Sequence, residues 1–228
     1  MSNDDSNEFE LDSNLVPPRF LVVEGPIGVG KTSLVNRLSK TFNAETLLER
    51  AEENPFLESF YRDRRSTAFQ TQLFFLFQRS RQMAGLQQHD MFMQSMISDF
   101  MLDKDRLFAE LNLDHNEMEL YDQIYHKMSM EAPTPDLVVY LQAPVEVLMQ
   151  RVHKRSRRAE RDMDPGYLQK LLDVYNGYFS QYRRSPLLII NAAHINPLES
   201  EKDYQLLVEK ICTIKAGRHF FNPGPSLL

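Results

Sequence analysis

The sequence predicts an α/β fold: a three-layer sandwich with a parallel sheet of about five strands and an arginine-bearing lid. Three observations lead there. Short apolar runs alternate along the chain with stretches of helical periodicity, the pattern of strand–helix–strand units and a parallel sheet. The first run, Phe20-Leu21-Val22-Val23, leads straight into Gly25-Pro26-Ile27-Gly28-Val29-Gly30-Lys31-Thr32, a glycine loop of the form G-x-x-x-x-G-K-[ST]. Late in the chain, an apolar run and a helix pass into the arginine-dense segment Arg151–Arg161.

The glycine loop carries the strongest chemical signal. The strand before it reads as buried, and Leu34, Val35, Leu38 and Phe42 behind it recur at helical spacing, so the loop lies between a strand and a helix. Glycines let backbone N–H groups close on phosphate oxygens with no side chain in the way. The helix opening near Lys31 adds the positive end of its dipole. Lys31 reaches the outer phosphates of a bound nucleotide, and the Thr32 hydroxyl is a candidate Mg²⁺ ligand. The loop therefore predicts a nucleoside triphosphate and leaves the acceptor open.

Bulk composition narrows the field. A chain of 228 residues with 42% hydrophobic content fits one domain. That domain is expected over residues 19–215, after a disordered acidic tail (1–18) and before a C-terminal tail (216–228). The first tail holds Asp4, Asp5, Glu8, Glu10 and Asp12 and no basic residue, and closes on Pro17-Pro18. A net charge of −6 argues against a nucleic acid polymer as partner. The single cysteine, Cys212, excludes internal disulfides and suits a reducing cytoplasm. No apolar run approaches the ~18 residues of a membrane span, and no signal layout opens the chain, so cytoplasmic localisation is expected. Eleven Met and 15 Phe with no Trp read as filling for an irregular core.

In chain order, the helix after the glycine loop should end near Phe42. Glu45–Glu49 reads as a second strand with Glu49 at its carboxyl end, facing the ligand cleft of an open α/β sheet. Asn54-Pro55 is a helix-start signal. Aromatic-rich helix follows from Phe56 to about Gln88, with Tyr61, Gln70 and Arg79 as polar groups that need partners. Met93–Ile97 is a weak third strand ending at Ser98-Asp99, and Lys104 to about Met130 reads as helix. Leu137–Leu141 is a buried strand, Pro144 starts a helix, and Asp164-Pro165 starts another. Leu187–Asn191 is the last strand, and Asp203–Ile214 the closing helix. There are no internal repeats.

Two groups of residues stand out beyond the loop. Arg151, Arg155, Arg157, Arg158 and Arg161 make a strongly positive segment in an acidic protein, placed where a cover over phosphates would sit; such charge stabilises phosphoryl transfer. Glu49 is the candidate base that orients an acceptor hydroxyl.

Taken together, Gly25–Thr32, Glu49, Asn54-Pro55-Phe56-Leu57, Phe60-Tyr61, Phe69-Gln70-Thr71 and the Arg151–Glu160 region resemble the deoxyribonucleoside kinase family, most of all its bacterial deoxyadenosine/deoxyguanosine branch. The likeness runs from about Phe20 to Ile214. It implies a P-loop kinase that moves the γ-phosphate of ATP, with Mg²⁺, to the 5′-hydroxyl of a deoxynucleoside in nucleotide salvage, a purine being favoured. It implies Glu49 as the carboxylate taking the 5′-hydroxyl proton, Tyr61 and Glu160 at the 3′-hydroxyl, and Gln70 pairing with the base. Arg151, Arg155 and Arg157 match the lid arginines; Asp99 is a carboxylate near Mg²⁺, and a homodimer packed through helices is expected. One departure stands out: the family usually has an arginine after that carboxylate, and this chain has Asp99-Phe100-Met101. A lid arginine or Arg79 would compensate, or catalysis would be weakened. Two rival readings are a nucleoside monophosphate kinase, with Arg79 on the acceptor phosphate, and an inactive nucleotide-binding relative.

Overall fold

In the computed structural model, the described residues are 15–88, 95–129, 132–155, 157, 160, 162–193, 197 and 200–222. The strands are β1 (Phe20–Glu24), β2 (Glu45–Leu47), β3 (Met96–Ser98), β4 (Leu137–Gln142), β5 (Leu187–Asn191) and β6 (Arg218–Phe221). They form one sheet in the order β2-β3-β1-β4-β5-β6, every pairing parallel. β1 is central: Leu21 pairs with Ile97 on one side and Leu137 on the other. Consecutive residues of β1, β4 and β5 are buried although neighbours on a strand point to opposite faces. Both faces of the sheet are therefore covered, as a parallel sheet flanked by helices requires.

The helices are α1 (Lys31–Phe42), α2 (Leu57–Arg62), α3 (Arg64–Gln88), α4 (Asp103–Asn112), α5 (His115–Ser129), α6 (Val145–Arg155), α7 (Pro165–Gln181) and α8 (Glu201–Thr213). Leu34, Val35 and Leu38 of α1, Leu168, Leu171 and Tyr175 of α7, and Leu207, Val208 and Ile211 of α8 join the strands in one buried cluster. Asp164 caps α7, accepting from Gly166 N and Tyr167 N at 3.1 Å each, with Pro165 in the first turn.

The structure corrects the sequence reading in three places. The sheet has six strands, because β6 lies in the segment expected to be a tail. Its sequence, Arg218-His219-Phe220-Phe221, shows no apolar run, since an edge strand is buried on little of its surface. The helix expected over 104–130 is two helices. Asp114 and Glu117 cap the second reciprocally, each side chain accepting the other's backbone N–H at 3.0 Å. The helix expected from Phe56 is likewise two, parted at Asp63, whose backbone is extended. Asn54 does serve that start: its Oδ1 accepts Phe56 N at 3.0 Å, while its Nδ2 donates to Thr71 O at 3.1 Å. Residues 1–14 of the acidic tail, 223–228, and Arg158 and Arg161 lie outside the described residues, whereas Leu15 packs against the core.

Candidate active site

The glycine loop joins β1 to α1. Gly30, with φ 105°, precedes Lys31, the first residue of α1, and Gly28 has φ 84°, a conformation that disfavours a side chain. A Cβ on Gly28 would come within 2.8 Å of Val152 Cγ2 and 2.9 Å of Leu148 O, so α6 is seated against the loop at this residue. The Lys31 ammonium donates to Gly25 O at 2.7 Å and Pro26 O at 3.1 Å. Burial and the nearby Lys104 charge lower its pKa to about 8, against the pull of Glu24, Glu49 and Asp99. Beneath the loop, Glu24 accepts Gly25 N at 3.0 Å and Met101 N at 2.9 Å, tying β1 to the segment after β3; burial pushes its carboxyl up.

A cavity of about 380 Å³ opens on this loop. Gly28–Leu34 line it together with Arg151, Lys154 and Arg155 of α6, and Ala192 and Pro197 close its far side. Arg151 donates to Val29 O at 3.1 Å and Ala192 O at 2.9 Å, bracing the cavity wall. Arg155 is ion-paired with Glu160.

A second cavity of about 460 Å³ lies on the other side of Lys31 and Thr32, and Gly28, Lys31, Thr32 and Arg155 border both. Its walls carry Glu49, Tyr61, Gln72, Phe75, Arg79 and Asp99, then Lys104, Arg157 and Glu160. Glu49 sits two residues past the end of β2. Its backbone N–H donates to Asp99 Oδ1 at 2.7 Å, and Asp99 Oδ2 accepts the Thr32 hydroxyl at 2.6 Å. The carbonyls on either side are held by α3: Gln82 Nε2 donates to Leu48 O at 2.9 Å and Gln78 Nε2 to Arg50 O at 3.2 Å.

The Glu49 carboxylate meets two cations. Arg79 pairs with Oε1 through Nε (2.8 Å) and Nη2, and Lys104 Nζ lies 3.3 and 3.1 Å from its two oxygens. Burial opposes ionisation here, but Arg79 and Lys104 outweigh it and hold the carboxyl well below the usual carboxylate range. Arg79 also donates to the fully buried Asp105 at 2.6 Å, where burial pushes the carboxyl up against that pull, and Tyr121 OH donates to Asp105 at 3.3 Å. Burial also pushes the Tyr61 phenol far up, so it stays a neutral donor.

Most residues expected from the sequence therefore converge: Gly25–Thr32, Glu49, Tyr61, Arg79, Asp99, Arg151, Arg155, Arg157 and Glu160. Gln70 does not. It is exposed on α3, on the same side as Phe74 and Phe77, and the amide in the second cavity belongs to Gln72. Residues 72, 75 and 79 share a helical face, and two residues of shift turn a side chain about 200° away. Arg79 is placed in the cavity as expected, with both its carboxylate partners supplied by the protein itself. Sequence reasoning also missed Lys104 and Asp105, charged residues in the first turn of a helix whose start it put one residue late.

The fold and its glycine loop define a P-loop phosphotransferase, with two cavities that meet at Lys31 and Thr32. The sequence profile of the deoxynucleoside kinase family matches residues 21–214, and the chain belongs to that family. It is an ATP-dependent kinase of deoxynucleosides. It is similar to a deoxyguanosine kinase of Bacillus subtilis (34% identity, 73% of this chain and 81% of the relative) and to a deoxyadenosine/deoxycytidine kinase of the same organism (26%, 86% and 92%). Among solved structures it resembles deoxyadenosine kinase from M. mycoides with bound dATP, at a TM-score of 0.74 and 25% identity, over 84% of this chain and 98% of that one.

Proposed function

We propose that the chain transfers the γ-phosphate of ATP to the 5′-hydroxyl of a purine deoxynucleoside, with Mg²⁺, as a homodimer in the cytoplasm. The observation that carries this is Glu49: an ionised carboxylate on the wall of the second cavity, which Lys31 of the phosphate loop also borders. The acceptor oxygen attacks the γ-phosphorus in line, the bond to the β–γ bridging oxygen breaks, and ADP leaves. The hydroxyl proton passes to Glu49. Because that carboxylate is a weak base, its work is to orient the hydroxyl until the forming P–O bond makes the proton acidic. Lys31 and the lid arginines Arg151, Arg155 and Arg157 balance the phosphate charge.

Thr32 and Asp99 present a hydroxyl and a carboxylate side by side, an all-oxygen set suited to Mg²⁺, which would neutralise the phosphates when bound. Tyr61 and Glu160, both on the wall of the second cavity, are the groups to hold the sugar 3′-hydroxyl. Gln72 Oε1 is buried without a hydrogen-bond partner, so its amide has an acceptor to offer a base edge, and adenine presents the matching donor and acceptor. The relatives named for deoxyguanosine and deoxyadenosine support a purine. Exposed Phe77 on α3 and Leu120 on α5 suit a helical dimer face (43% and 48% exposed). The buried free Cys212 suits a reducing compartment, and among the described residues no helix is long and apolar enough to cross a membrane.

A monophosphate acceptor is disfavoured because Arg79, the cation that would receive it, already spans Glu49 and Asp105. Phosphate transfer from ATP to the four deoxynucleosides and their monophosphates tests the proposal. Turnover of deoxyadenosine or deoxyguanosine well above the other six acceptors is expected; preference for a monophosphate would overturn it.

A further inference from the structure

We infer that Lys104 is a positioning residue that lets an anionic phosphoryl group come up to the Glu49 carboxylate, taking the place of the arginine this chain lacks after Asp99. The inference rests on the kinase reading above and extends it to a residue the sequence did not mark.

The first observation is one of charge. A transferred phosphoryl group is anionic, and the group that orients its acceptor is also anionic. Two like charges brought into contact in a water-poor cavity repel strongly, so the carboxylate needs a local counter-charge. Arg79 does not provide it alone, because it bridges two carboxylates, Glu49 and Asp105. That trio carries one net negative charge, and Lys104 brings it to neutrality. Among the described residues no lid arginine pairs with the Glu49 carboxylate: Arg155 pairs with Glu160, and Arg151 donates to Val29 O and Ala192 O.

The second observation is geometric. Lys104 is 4% exposed, yet it lines the acceptor cavity and reaches both oxygens of Glu49. Contact with both oxygens fixes the plane of the carboxylate, which contact with Arg79 at Oε1 alone does not. The position after Asp99 is closed to this task. Phe100 is fully buried, turned inward by the Ser98 hydroxyl, which bonds its backbone O at 2.7 Å and N at 3.2 Å. The chain then enters α4, and the first turn of that helix delivers Lys104 from below, its ammonium 5.8 Å from the Phe108 ring centre.

The test compares wild type with Lys104→Met, Lys104→Gln and Lys104→Arg in steady-state kinetics with ATP and the preferred deoxynucleoside, alongside the melting temperature of each. The Met and Gln variants are expected to lose about 10²-fold in kcat, the scale of one preorganised donor, with the KM for ATP changed less than threefold. Arg should recover kcat to within about tenfold of wild type. A loss of fold would lower the melting temperature together with kcat; a fall in kcat at unchanged ATP KM, in variants that melt as wild type does and recovered by Arg, is the mark of a positioning role. Wild-type kcat in Met or Gln, a loss confined to KM, or an Arg variant as slow as Met would each overturn the inference. Should Met fail to give a cooperative melt, Gln and Arg decide by the same criteria. Wild-type turnover in the same assay tests the kinase reading separately.

Discussion

The two halves of the cleft are built from different materials. The half proposed for the phosphate donor is backbone: glycines at Gly28 and Gly30, the amides that open α1, and carbonyls at Gly25, Pro26, Val29 and Ala192 that hold Lys31 and Arg151 in place. The acceptor half is side chain: Glu49 from the end of β2, Tyr61 from α2, Gln72 and Arg79 from α3, Lys104 and Asp105 from α4. A backbone site needs particular residue types at fixed spacing within one short stretch. A side-chain site needs only that distant elements bring compatible groups together, and many sequences satisfy that.

The sharpest way to break this contrast is at the carboxylate of the second cavity. Glu49→Gln keeps the shape and removes the charge; kcat is expected to fall about 10³-fold, within the range of a positioned general base, while the melting temperature of the unliganded protein shows that the fold survives. Equal turnover would remove Glu49 from the chemistry.

Next comes the backbone half. Gly28→Ala forces a side chain into a left-handed conformation and against Leu148 O, at a cost of about 3 kcal/mol in unfolding free energy by denaturant titration. ATP affinity should fall with it, because α6 carries Arg151 and Arg155. A variant as stable as wild type would show that α6 is not seated on the loop.

The acceptor half gives a smaller effect. Gln72→Leu should raise the deoxynucleoside KM about tenfold through loss of a buried base contact, with the ATP KM unchanged. Gln70→Ala serves as its control and should stay within about twofold in every parameter. Reversal of that pair would restore the reading made from the sequence.

Smallest is a pH effect on the donor half. The Lys31 pKa is lowered to about 8, so the ammonium that a triphosphate selects is present below that pH and lost as pH rises through it. kcat/KM for ATP should therefore fall about twofold between pH 7 and 8, whereas kcat, measured with phosphates already on Lys31, should not. A flat profile would mean that Lys31 stays charged throughout.

What the sequence disclosed follows the same division. Gly25–Thr32 was legible in full, because phosphate geometry dictates its letters. Glu49 was legible from strand-end placement, and β1, β4 and β5 from apolar runs that only a doubly covered sheet permits. The sequence reading put the amide at Gln70, whereas Gln72 is the one that lines the cavity; the run Phe69-Gln70-Thr71-Gln72 offers two amides, and only the face shared with Phe75 and Arg79 separates them. Lys104 was invisible: charged residues in the first turn of a helix are usually solvated, and nothing nearby in sequence says that this one lies against Glu49. β6 was hidden because an edge strand shows little of the apolar pattern that marks an interior one.

Asp99 holds one further consequence. One of its oxygens accepts the amide of Glu49 and the other the hydroxyl of Thr32. It works as a rivet through both plates of the cleft. Any tug on Thr32 as a nucleotide seats is passed within two hydrogen bonds to the main chain that aims the acceptor, so the two pockets share a single mechanical alignment.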